Sequence, residues 1–307
     1  MSHDERAESE LHSYSAYGLQ LASALPLPEL LPGKGRADVH IGIDRSTSGG
    51  AGEISGIRSI SASPIRVSLT WSTVGDLLIE DGNRITVTPA SGADEESLRL
   101  FVTGAGLGVL LHQRGLLVLH ASGVVIEDRA VGFLGAKGWG KSTTAMALHQ
   151  RGRPFISDEL LVMRFDEQNQ ALVMPGSTPM RLWADALVSA GGNVVTATRV
   201  RPGVDKYYVN ASSMADGEYP LDRLYLLDAG ERLSAKPVPS AEAFFSIVPH
   251  VYVSRFGTPF IQSTHFTHTF RQLNLLLRKT AVIRLIRRQD LSQLEEIAQL
   301  VEAHSLT

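Results

Sequence analysis

The residues of this chain best suited to chemistry are consecutive: Gly135-Ala136-Lys137-Gly138-Trp139-Gly140-Lys141-Ser142, which satisfies the pattern G-x-x-x-x-G-K-[ST]. In such a loop the glycines let backbone N–H groups turn inward around phosphate oxygens, and the positive end of the following helix adds its attraction. Lys141 is placed to reach β- and γ-phosphates, and Ser142 to hold Mg²⁺. The flanks agree, because the apolar run Ala130-Val131-Gly132-Phe133-Leu134 precedes the loop and a helix-like stretch from Ser142 to Gln150 follows it. The spacing predicts a nucleotide phosphate site formed by Gly135, Ala136, Lys137, Gly138, Trp139, Gly140, Lys141, Ser142 and Thr143. A ligand-free turn between strand and helix would account for the glycines but not for Lys-Ser at the helix start.

Two acids follow after one helix. Asp158 and Glu159 end the short apolar strand Pro154-Phe155-Ile156, which is expected beside the pre-loop strand and so brings a carboxylate near a γ-phosphate. Phosphoryl transfer needs positioned phosphates, a metal and a group that accepts the nucleophile's proton. An Asp suits the last role when the acceptor is a hydroxyl. Successive strand residues face opposite ways, so the two acids need not act together. The plainer alternative for both is a helix cap or a solvated strand end. His120 lies in the apolar run Leu116 to Ile126, one hairpin before the loop. A lone His there is ordinarily a packed core residue, but this position lets it approach and orient Asp158.

The elements that must position these residues are partly legible. The first 12 residues are polar and charged, unlike a secretory signal, and are expected to form a disordered tail. Alternating runs at Ala37–Ile43, Ile65–Trp71 and Arg84–Thr88, with a turn at Asp81-Gly82-Asn83, predict a small antiparallel β module over residues 13–92. Residues 93–307 are expected to form the phosphate-binding α/β domain. Within it Glu95 to Gln113 predicts a helix despite Gly104, Gly106 and Gly108, which would let another backbone pack closely. Further helices are expected over Met180–Ala190, Arg271–Lys279 and Leu291–His304, strands over Asp222–Asp228 and Val282–Ile286, and a mobile segment over Gly191–Asp205. Hydrophobic residues make up 43% of the 307, enough for a sizeable core. A net charge of −3 gives no basic field for nucleic acid or an anionic membrane, and no apolar run free of charge is long enough to span one. The absence of cysteine excludes disulfides, Cys-ligated zinc and thiol nucleophiles, and fits a cytoplasmic protein.

The order His120-Ala121-Ser122-Gly123-Val124, then a hairpin, then Gly135 to Ser142, then Ser157-Asp158 after one short helix, resembles the catalytic core of HPr kinase/phosphorylase. The resemblance implies an α/β P-loop kinase core of the phosphoenolpyruvate carboxykinase-like type. It covers residues 115–165 closely and 95–285 loosely. Tyr17-Gly18-Leu19, Leu25-Pro26-Leu27-Pro28-Glu29-Leu30 and Arg114-Gly115 are similar to a narrower group, the HPr kinase-like proteins of lasso-peptide biosynthetic clusters, some of which phosphorylate a serine at the C-terminal end of a precursor peptide. This implies ATP and Mg²⁺ as cofactors, a precursor peptide with a serine acceptor as partner, and a homo-oligomer as the family expectation.

Carried onto this chain, the resemblance implies that Lys141 and the loop amides hold the triphosphate. Ser142 with Glu159 holds Mg²⁺, and Asp158 takes the serine proton with His120 as its partner. Arg181 and Lys206 are expected to contact phosphate or a peptide carboxylate. The chain departs from the family pattern at Glu159, where a second Asp is usual, and at the bulky Lys137 and Trp139 in the loop. Two other functions fit the same residues: an HPr-type kinase/phosphorylase of sugar regulation, and a nucleotide-gated module that binds a peptide through a strand edge without modifying it.

Overall fold

The computed structural model describes residues 11–46, 57–176, 179–257, 260 and 266–305. Most of the expected N-terminal tail lies outside these residues. The chain folds as mixed α/β with several sheets.

The first sheet holds β1 (His12–Ala16), β2 (Leu19–Ser23), β3 (Leu31–Pro32), β4 (Val39–Ile43), β5 (Ile57–Ala62), β6 (Arg66–Trp71), β7 (Gly75–Glu80) and β8 (Arg84–Pro89). Its strand order is β3-β1-β2-β4-β8-β7-β6-β5. Apolar residues at every second position face inward, as Leu77 and Ile79 do on β7 and Ile85 and Val87 on β8. The expectation of a small antiparallel module is corrected here. The sheet has eight strands, and β4 pairs in parallel with both β2 and β8. Parallel neighbours need a crossover, which the segment carrying buried Leu25, Leu27 and Leu30 supplies between β2 and β4.

The expected single helix at 95–113 is three helical pieces: α1 (Glu95–Phe101), a π turn (Val102–Gly106) and α2 (Leu107–Gln113). Asp94 caps α1 by accepting from the Ser97 backbone N–H at 2.7 Å. The glycines admit side chains rather than a backbone. A Cβ at Gly108 would lie 2.3 Å from the ring of Tyr252, and one at Gly106 3.3 Å from Ile85.

Next come β9 (Leu117–Leu119), β10 (Ser122–Ile126), β11 (Arg129–Leu134), α3 (Lys141–Gln150), β12 (Phe155–Ser157), β13 (Leu161–Phe165), β14 (Ala171–Met174), β15 (Pro179–Trp183), α4 (Ala184–Ser189), β16 (Lys206–Asn210), β17 (Tyr219–Ala229), β18 (Ser234–Pro237), α5 (Ser240–Ile247), α6 (Phe266–Lys279), β19 (Ala281–Arg287) and α7 (Leu294–Ser305). The central sheet runs β12-β10-β11-β17-β14-β13-β9, with β19 also on β17. The expected strands at 222–228 and 282–286 fall within β17 and β19, and the expected C-terminal helices are α6 and α7.

Three expectations change. The run Leu116–Ile126 is two strands, because the chain leaves β13 and joins β11 and β12 at His120-Ala121. β12 lies against β10 rather than the pre-loop strand β11, whose edges are taken by β10 and β17. The first part of Met180–Ala190 is strand β15, whose buried Met180 and Leu182 alternate with residues facing the other way.

The first sheet, α1 and α2, and one side of the central sheet share a continuous hydrophobic cluster that includes Leu27, Leu77, Phe101, Leu119, Leu161 and Tyr252. A second cluster fills the space between the central sheet, α3, α7 and the β15–β16 ribbon. No helix among the described residues is long and apolar enough to cross a membrane.

Gly108 gives a test of the packing. In an open helix Gly→Ala would stabilise by about 1 kcal/mol. Here the buried Tyr252 ring occupies the space, so Gly108→Ala is expected to destabilise by about 1–3 kcal/mol in urea unfolding. An unchanged or raised midpoint would refute the contact.

Candidate active site

The glycine-rich loop of residues 135–142 runs from the end of β11 to the start of α3. Gly138 and Gly140 take φ of +84° and +76°, which L side chains rarely adopt. Gly140 also leaves room for Arg287, whose guanidinium nitrogen would lie 2.6 Å from a Cβ there. That guanidinium is buried behind the loop and donates to the carbonyls of Trp139 and Arg288. Trp139 is half-buried, with its Cβ against Gly135. Lys141 folds back so that Nζ donates to the carbonyls of Gly135 at 3.0 Å and Ala136 at 3.4 Å. Burial pulls its ammonium below the ordinary lysine pKa, against the opposing effect of Asp158 and Glu159. Anionic oxygens arriving in the loop would replace those carbonyls and favour the charged form.

Asp158 is 4% exposed, and both oxygens of its carboxylate accept hydrogen bonds. Oδ1 accepts from the hydroxyl of Ser122 on β10 at 2.5 Å and from that of Ser142 at 2.8 Å. Oδ2 accepts from the backbone N–H of Arg181 on β15 at 3.0 Å.

Glu159 points elsewhere for a local reason. It has a φ of +75°, and the Leu160 N–H donates back to the Asp158 carbonyl at 3.0 Å, the i→i+2 bond of a γ-turn. The hydroxyl of Ser157 ties the same turn by donating to the Leu160 carbonyl at 2.7 Å. Glu159 Oε1 therefore meets His120 Nδ1 at 3.4 Å and Arg255 Nη1 at 3.2 Å. It makes no hydrogen bond to Ser142 among the described residues. Burial alone would raise its pKa, but His120, Arg181, Arg255 and Lys206 hold the carboxyl far below the usual range. Such strained backbone clusters at functional sites.

His120 sits at the break between β9 and β10, held by its N–H on the His250 carbonyl at 2.7 Å. Burial pushes its imidazole below the ordinary value, although Glu159 opposes this. Nδ1 faces Glu159, and Nε2 makes no hydrogen bond among the described residues.

These groups line one cavity of about 320 Å³. It brings together His120, Lys137, Gly138, Gly140, Lys141, Ser142, Thr143, Asp158, Glu159, Arg181 and Lys206 from the sequence-based set. Gly135, Ala136 and Trp139 shape the loop but do not line the cavity. The strand pair β15–β16 sets Trp183 opposite Lys206, whose ammonium lies 5.9 Å from the indole centroid. Sequence reasoning missed Arg201, Tyr252, Arg255 and Arg287, which carry no local motif. The lining holds six Lys and Arg side chains against two carboxylates, the excess a polyanion requires.

Tyr17 was legible only as part of a resemblance. It is the tip of the β1–β2 hairpin, at φ +52°, and its N–H donates to the Pro175 carbonyl at 2.9 Å. Its buried ring lies against Gly176, where a Cβ would come within 2.5 Å. Burial raises its phenol pKa, with Arg181 opposing.

The donors present fit Mg²⁺. Ser142 and Asp158 offer two hard oxygens at the loop's helix end, and Mg²⁺ characteristically takes one or two protein oxygens and completes its shell with phosphate and water. Among the described residues no cluster of three or more His or acidic side chains forms an all-protein metal cage.

No protein-family model and no curated protein matches this chain. Among solved structures it is similar to the Hpr(Ser) kinase/phosphatase from Coxiella burnetii. The identity is 13% and the TM-score 0.31, over 62% of this chain and 96% of that one.

The electrostatics of the His–Glu pair can be tested directly. The His120 ring is expected to titrate below the ordinary imidazole value, and Glu159→Gln should lower it further by removing the one close anion. NMR titration of the ring checks this. An upward shift in the variant would contradict the geometry.

Proposed function

We propose that this protein is an ATP- and Mg²⁺-dependent kinase that phosphorylates a serine hydroxyl, at the C-terminal end of a ribosomally made precursor peptide, through an HPr kinase-like active site. The observation that carries this reading is the 2.8 Å hydrogen bond between Ser142 of the glycine-rich loop and Asp158, in the same cation-lined cavity as His120.

The loop amides and Lys141 bind the triphosphate. Ser142 and Asp158 would hold Mg²⁺, which when bound would offset the negative charge of the phosphates. Asp158 is thus assigned to the metal and not, as the sequence resemblance implies, to the proton. Glu159 orients His120 through Nδ1, and Nε2 accepts the proton of the incoming hydroxyl. The serine oxygen bonds to the γ-phosphorus as the bond from that phosphorus to the bridging oxygen breaks. ADP leaves, and the proton rests on His120. Arg181, Lys206 and Arg255 offset the negative charge that spreads over the transferred group.

Incubation with ATP, Mg²⁺ and a serine-ending precursor peptide, read by intact mass, tests the reading. A phosphate-sized gain is expected. Lys141→Ala should slow transfer by about 10²–10³-fold and His120→Ala by about 10²–10⁴-fold. Undiminished transfer in Lys141→Ala would overturn the assignment. ATP binding without transfer would favour a nucleotide-gated peptide-binding module.

A further inference from the structure

The cavity does not stop at the phosphate loop. Past His120 and Glu159 it is walled by Trp71 and Val74 of the first sheet, Leu100 and Phe101 of α1, and Phe256. Trp71 meets Phe101 edge to face, with ring centroids 5.6 Å apart. Tyr252 joins this apolar end to the reacting end, its ring 6.1 Å from Phe256 and 6.3 Å from His120. The indole Nε1 of Trp71 is buried and has no hydrogen-bond partner among the described residues. Arg181, Arg201 and Lys206, each half-buried, also line the cavity.

Position decides what fits there. Lys141, Ser142 and Asp158 mark the β,γ end of a bound triphosphate, and His120 lies beyond it. A hydroxyl attacking in line enters from that side, opposite the departing ADP. The apolar end is contiguous with the acceptor's approach.

We propose that this end is the acceptor subsite, and that it selects peptides in which a large apolar side chain immediately precedes the acceptor serine. That side chain packs against Trp71, Val74 and Phe101, so the first sheet chooses the substrate. The proposal rests on the kinase reading above.

The test uses the full chain, ATP and three peptides that differ only in the residue before the serine: Phe, Gly or Asp. In the unmodified protein kcat/KM should favour Phe over Gly by about tenfold or more, with Asp worst. Trp71→Ala should erase the preference by raising KM for the Phe peptide while KM for ATP stays the same. Leu100→Asp, at a half-buried position that folding tolerates better, should do likewise. Equal transfer to all three peptides would overturn the subsite and leave the kinase reading intact. A raised KM for ATP in both variants would place the nucleobase there instead and overturn it too. Transfer to none of the peptides would overturn the kinase reading, and the subsite with it.

Discussion

The carboxylate of Asp158 is the point on which the site depends. It accepts hydrogen bonds from Ser122 on β10, from Ser142 at the start of α3 and from the Arg181 backbone on β15. A buried charge must be paired or hydrogen-bonded, so these bonds tie three elements to one another. The phosphate loop, the strand switch at His120 and the cationic ribbon of β15 and β16 are thereby held around one space. The γ-turn that follows sends Glu159 the opposite way, toward His120 and Arg255. Two adjacent acids so acquire different surroundings, one set by hydroxyl and amide donors and one by cations.

The first sheet belongs to this arrangement. Its β1–β2 hairpin presses Tyr17 onto Gly176, and its β6 and the following turn supply Trp71 and Val74 to the cavity wall. The buried pair of Arg99 and Glu29, at 3.1 Å, fastens α1 to the crossover between β2 and β4. Breaking such a pair by removing one partner is costly because it strands a buried charge. The sheet is thus fixed to the rest of the chain by apolar packing, and to α1 by charge as well.

What the sequence made legible was local. The phosphate loop is a contiguous pattern whose geometry follows from its own glycines and lysine. His120, Asp158 and Glu159 were found because they lie one hairpin and one helix from it. The turn that separates the two acids was not legible, since nothing in Ser157-Asp158-Glu159-Leu160 announces a positive φ at a Glu. Arg255, Tyr252 and Arg287 were missed because only tertiary packing brings them to the loop. The role of Gly108 was also hidden, because the ring that fills its space lies far along the chain. The parallel pairing of β4 escaped notice because alternation reveals a strand's buried face but not its neighbours.

Bonded to Ser142, Asp158 rather than Glu159 is the acid we assign to Mg²⁺. The most direct measurement is the Mg²⁺ dependence of ATP affinity, by calorimetry, in Asp158→Asn and Glu159→Gln. Mg²⁺ is expected to tighten ATP binding in the unmodified protein and in Glu159→Gln, and Asp158→Asn to lose this tightening. Loss in Glu159→Gln with retention in Asp158→Asn would contradict it.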